Sequence, residues 1–188
     1  MRKAWRTICI LSLLGSAYAR GDVVSHGGCV VDSEIWALPQ CALEMKGGRL
    51  YVANRYLRLY FPRKEPLAWA LLPDGERSRG GGWAYFDRKG RIVVQNVATM
   101  DNGPNDFHHG LVRVVHKGKW GLANLHGAIV VPLKYDGMLD FDEHSKRWVV
   151  CSDCHDVTSG EYHWFEAGEW FWLDQHGRFG GRCPPPKV

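Results

Sequence analysis

Cys151-Ser152-Asp153-Cys154-His155 is the segment whose residue types and spacing most readily do chemistry. C-x-x-C-H attaches c-type haem when both thiols bond its vinyl groups and the imidazole ligates iron. The same cysteines could cycle as a redox pair. With His155 and His163 they could instead hold zinc. The flanking sequence argues against each use. A strand-like run, Arg147-Trp148-Val149-Val150, precedes the motif, whereas small cytochromes carry it on a helix, and no βαβ pattern surrounds it. The zinc spacing suits no standard module. A loop disulfide is the favoured reading, and neither a cofactor nor a metal is expected.

Five cysteines follow Cys9: Cys29, Cys41, Cys151, Cys154 and Cys183. In an oxidising compartment an odd number leaves one thiol over. Cys29 with Cys41 is the natural local pair, and the other three must share one bond and one free thiol. No nucleophile elbow, H-E-x-x-H zinc helix or phosphate-binding glycine loop is present, so no catalytic residue is assigned and the chain is not expected to be an enzyme.

Two polar loops are the better candidates for recognition. One holds Asp101, Asn102, Asn105 and Asp106, and the other Asp142, Glu143 and His144. As a set they suggest a binding edge, although each residue alone reads as ordinary solvated loop. An aromatic band (Tyr162, Trp164, Trp170, Trp172) is read as two strands joined through Gly168, and as core rather than exposed stacking surface.

The elements that would position these groups follow one pattern, G-x-W-x-x-x-[DN]-x-[KH]-G. It recurs at Gly81, Trp83, Asp87 and Gly90, at Gly118, Trp120, Asn124 and Gly127, and at Gly168, Trp170, Asp174 and Gly177. In the middle copy Leu111–His116 reads as a strand, Lys117-Gly118 as a tight turn, and Trp120–Ala123 as the return strand. Asn124–Gly127 has the composition of a second turn, and Ala128–Val131 makes a third strand that Pro132 should end. His126 and His176 stand where the first copy has Lys89, which reads them as turn residues. Extra length between Trp120 and Trp170 falls at 142–147 and 151–162 and is read as loop insertion.

The stretch Gly110–Val114, Gly118–Asn124, Gly127, Val130-Val131-Pro132, Tyr135-Asp136 and Phe141 resembles a WG repeat of the bacterial WG/KWG-repeat family. The resemblance covers one full unit, with a weaker unit before it and a truncated one after it. It implies an exported β-hairpin scaffold used for binding, and it brings no catalytic residues. The expected fold is all-β, an antiparallel array of short hairpin repeats over 80–188 with a less regular segment over 20–79, together one compact domain. Trp69–Gly75 reads as a decayed copy, and Ser33–Met45 is the best helix candidate, interrupted by Pro39.

Residues 1–19 read as a secretory signal: Arg2, Lys3 and Arg6, an apolar run from Ile8 to Leu14, and cleavage after Ala17-Tyr18-Ala19. The run is too short to cross a bilayer. The mature chain would be periplasmic or secreted. Losing the signal removes three basic and no acidic residues, taking the formal charge from +4 to +1. That is not the footprint of a nucleic-acid binder. The expected function is binding of a protein partner, as an inhibitor or immunity protein against a toxin or hydrolase, or of a cell-envelope component. A haem electron carrier and an unrecognised hydrolase are the alternatives.

Overall fold

The computed structural model describes residues 23–25, 29–31, 35–38, 42–46, 49–54, 57, 61, 66–72, 82–100, 103–160 and 162–186. Three three-stranded meanders organise the part from residue 66 on, and each contains one copy of the pattern. The first is β6 (Leu67–Leu71), β7 (Trp83–Asp87) and β8 (Ile92–Val97), and the second is β11 (Leu111–His116), β12 (Lys119–Asn124) and β13 (Ile129–Tyr135). The third is β15 (Arg147–Ser152), β18 (Glu169–Asp174) and β19 (Phe179–Arg182). All pairings are antiparallel. The short strands β9 (Thr99–Met100) and β10 (Gly103–Pro104) lie between the first two units, and β14 (Gly137–Met138) lies between the last two.

The same turn closes the second and third strands of every unit. Asp87, Asn124 and Asp174 each accept two backbone N–H bonds through Oδ1, from Lys89 and Arg91, His126 and Ala128, and His176 and Arg178, all at 2.9–3.0 Å. A short Asx side chain can cap the turn in this way, and the left-handed residue that closes it is glycine in all three copies. Gly90, Gly127 and Gly177 have φ of +75°, +80° and +78°.

These glycines also lock each unit onto the one before it. A Cβ on Gly127 would lie 2.0 Å from the Val93 carbonyl oxygen, and one on Gly177 would lie 2.7 Å from the Val131 side chain. A Cβ on Gly90 would lie 2.2 Å from the carbonyl oxygen of Val52, in β5 (Arg49–Val52). The segment before the first unit therefore receives a turn just as the units do.

The two faces of the first and second meanders pack in opposite directions along the array, because side chains alternate along a strand. Trp83 and Tyr85 meet Val112, Val114 and Ala123 of the second unit. On the other face Ala84 and Phe86 meet Val52, Leu57 and Phe61. Leu122, Val131 and half-buried Trp120 of the second unit meet Trp148, Val150 and Leu173 of the third. The first two meanders join through β8 and β11 into one six-stranded sheet, and each meander borrows cover from a neighbour, which is the logic of a repeat array. The chain also hands over to the next unit by strand pairing: Val97 of β8 pairs with Val114, and Gly137 and Met138 of β14 pair with Cys151 and Val150.

Several expectations are corrected. Trp170 and Trp172 do not return against the strand of Tyr162 and Trp164. β18 pairs with β15 along six residues, while β17 (Tyr162–Glu166) pairs with β16 (His155–Ser159) as a separate hairpin. The segment 151–162 is therefore strand at both ends rather than loop. Pro132 does not end the third strand. Trp120 pairs with Tyr135 and Leu122 with Val131, so β13 bulges where proline offers no N–H. Trp69 belongs to the first strand of the Trp83 unit rather than to a copy of its own. Strands β3 (Ile35–Leu38) and β4 (Ala42–Lys46) occupy the helix candidate.

Candidate functional site

The two polar loops read from the sequence come together beside the junction of the second and third units. A two-residue turn, His109 (φ +51°) and Gly110 (φ +78°), connects His108 to Leu111, which exchange backbone hydrogen bonds of 2.8 and 2.9 Å. Asp142 builds the facing turn. Its Oδ1 accepts from the His144 N–H at 2.8 Å and its Oδ2 from the Ser145 hydroxyl at 2.6 Å. Those bonds, led by the Ser145 hydroxyl, hold the Asp142 carboxyl below the usual carboxylate range.

His108 joins the loops. Its Nδ1 lies 2.9 Å from Glu143 Oε1, and its ring stacks on Phe141 with centroids 5.2 Å apart. His109 meets the same Phe141 ring edge-on, and buried Trp148 lies behind, with its centroid 4.9 Å from that of Phe141. Lys146 and His108, in that order, hold the Glu143 carboxyl low. The rim is thus two imidazoles and a carboxylate on an aromatic base.

Beneath it lies a buried polar network. Arg113 is only 7% exposed; its Nε donates to Asn105 Oδ1 at 2.9 Å and its Nη1 to the Met138 carbonyl at 2.7 Å, and Nη2 pairs with Asp140. Asn105 Nδ2 donates to Asp140 Oδ1 at 3.0 Å, and the Tyr85 hydroxyl donates to the Asn105 carbonyl at 2.8 Å. Burial pulls the Arg113 guanidinium down and Asp140 works against it; burial, then the charge of Asp106, push the Tyr85 phenol up. Buried polar groups demand such pairing. One network therefore fastens the first two units to the 138–140 connector at the base of the candidate edge.

Of the candidate contact residues, Asp106, Asp142, Glu143 and His144 are exposed. Asn105 is not: it is buried, and its amide is committed to Arg113 and Asp140, so its contact role is corrected to a structural one. Asp101 and Asn102 lie outside the described residues. His108, His109, Phe141 and Arg113 belong to the site and were not singled out. Arg113 carried a signal, as a lone charge in the apolar run Leu111–Val115.

Cys151 and Cys154 form a disulfide, and Cys183 is free. With its sulfurs joined the C-x-x-C-H segment has no thiol to offer haem or zinc. Among the described residues no group of three or more His, Cys, Asp or Glu side chains converges as metal ligands. Cys41 and the side chain of Cys29 lie outside the described residues. In the aromatic band Trp170 is buried while Trp164 and Trp172 are half-buried; Gly168 has φ +75° and lies against the end of β15 rather than turning a hairpin. Gly118, also left-handed, does turn one, and Gly81 lies outside the described residues.

The family model for the WG containing repeat matches residues 120–144. This chain carries a WG repeat. The matched stretch begins at Trp120, includes the Asn124–Gly127 turn and the bulged β13, and ends in the Asp142–His144 loop of the candidate edge. No curated protein and no solved structure is significantly similar to the chain. No helix of the described residues is long and apolar enough to cross a membrane.

Proposed function

We propose that this WG-repeat chain is an exported, non-enzymatic binding protein that engages a protein partner through the edge formed by 105–109 and 140–146. One observation carries the reading: the 2.9 Å contact between His108 and Glu143 closes two loops, far apart in sequence, into one rim over a buried scaffold. Rigid elements that present exposed loops are a common way to build a recognition surface. An inhibitor or immunity role against an envelope enzyme or toxin fits a rim of exposed charged side chains held on a fixed aromatic base.

The test is capture from periplasmic extract with the full chain, comparing wild type with Glu143→Lys and His109→Ala. A stoichiometric protein retained by the wild type and lost from the variants supports the proposal. Retention on cell-wall polymer instead, or equal capture by all three chains, overturns it.

A further inference from the structure

The third unit turns one face toward a position where the array offers no further unit among the described residues. By register Arg147, Val149, Cys151, Trp170 and Trp172 share that face. Two devices cover it. At one end Trp172 lies so close over Gly180 that a Cβ there would be 2.2 Å from the ring, and the Arg147 guanidinium stacks 4.1 Å from a Trp172 ring centroid. At the other end the β16–β17 hairpin folds back. Phe165 packs on Gly137 beside the Cys151 sulfur: a Cβ on Gly137 would lie 2.6 Å from the ring and 2.7 Å from Sγ. The same ring meets Trp120 edge-on at 5.9 Å.

The tethers of this hairpin are concentrated at its feet. The Asp153 N–H donates to Asp136 Oδ2 at 2.9 Å, Trp170 Nε1 donates to the Ala167 carbonyl at 2.9 Å, and the Cys151–Cys154 bond closes the first foot. Farther out, His155, Asp156, Thr158, Ser159, His163 and Glu166 are exposed. Segments with few buried contacts open independently of the rest of a fold. The β15–β18 ladder beneath is six residue pairs long and includes none from the hairpin.

We propose that the Cys151–Cys154 disulfide is a redox-released catch, which holds the hairpin as a cap on the third unit and frees it when a dithiol reduces the bond. The attacking thiolate reaches the sulfur of half-buried Cys154, since Cys151 is fully buried. The S–S bond breaks, and Cys151 leaves as a thiolate and takes a proton. The reductant's second thiolate then displaces Cys154, which also takes a proton, and the reductant departs as a cyclic disulfide. Two electrons and two protons have passed to the protein. Cys183 competes poorly as an internal attacker, because burial pushes its thiol up while Arg147 only partly opposes that. Once released, the cap uncovers Phe165, Trp120 and the Cys151 end of the face.

Amide exchange on the full chain tests this, oxidised and then treated with dithiothreitol, alongside the Cys151→Ser/Cys154→Ser and Cys183→Ser variants. The double variant separates this bond from any effect at Cys29 and Cys41. Reduction should speed exchange over 155–166 by roughly tenfold or more while 111–135 is unchanged. The double variant should exchange like the reduced chain without reductant, and Cys183→Ser should follow the wild type. Unchanged exchange in the hairpin overturns the proposal, and so does loss of protection throughout the repeats, which would make the bond a global staple.

Discussion

The Trp120 unit and the Trp170 unit use one plan with different connections. In the former, Lys117 and Gly118 join the first two strands directly, and six pairs run from Leu111–Asn124 to His116–Lys119. In the latter, sixteen residues from Asp153 to Gly168 stand in that place, yet six pairs run from Arg147–Asp174 to Ser152–Glu169. Cover from the neighbouring unit therefore sets strand pairing here, and the turn does not. A unit whose strands are held by packing on its neighbour can tolerate a long insertion, since lengthening a loop costs little closure entropy.

The two units differ most in how deeply their tryptophans are buried. Trp170 is buried and Trp120 half-buried. Chemical denaturation should show Trp170→Ala losing about 4 kcal/mol and Trp120→Ala about half that. Equal losses would mean that the two units do not differ in cover.

Much of this was legible in the sequence. The Asx and glycine positions of all three turns follow from local chemistry, which is why Asp87, Asn124 and Asp174 were readable. Partner choice was not. Trp164 and Trp170 flank a turn-like Ala167-Gly168, and local rules alone make them a hairpin. The competing partner, Val149-Val150-Cys151, lies farther away in sequence, and only packing against Leu122 and Met138 favours it. The two loops of the rim were readable as polar and exposed, while their meeting depended on Arg113, whose partners Asn105, Met138 and Asp140 lie in two separate connectors. Pro132 misled because its ban on ladder bonding is absolute at one residue and says nothing of a bulge.

Gly127 meets the backbone of the preceding unit, whereas Gly160, at the tip of the inserted hairpin with φ +63°, has open space around it. Gly127→Ala should cost about 3 kcal/mol, strain plus collision, and Gly160→Ala about 1 kcal/mol from left-handed strain alone. Thermal unfolding of both reads the contrast.

Replacing 153–168 by the Lys-Gly of the second unit removes the Phe165 cover, so it should cost about 2 kcal/mol in the same assay without loss of the fold. A collapse would show that the insertion holds the third unit together.

The smallest effect is acid sensitivity. At Asp87 and Asp174 burial pushes the carboxyl up, but hydrogen bonds from Arg91 and Arg178 and from the turn N–H groups leave both below the ordinary value. A lowered folded pKa gives stability that is present above the unfolded pKa and lost as pH falls through the folded one. Turns at 87 and 174 should loosen below about pH 4, and the Asn124 turn should not. Amide exchange at Gly90, Gly127 and Gly177 against pH checks this.

The most direct test is a through-space proton contact map of the third unit by NMR. The account predicts cross-strand contacts from 147–152 to 169–174, with 162–166 touching 155–159 instead. Contacts between 162–166 and 169–174 as paired strands would contradict it.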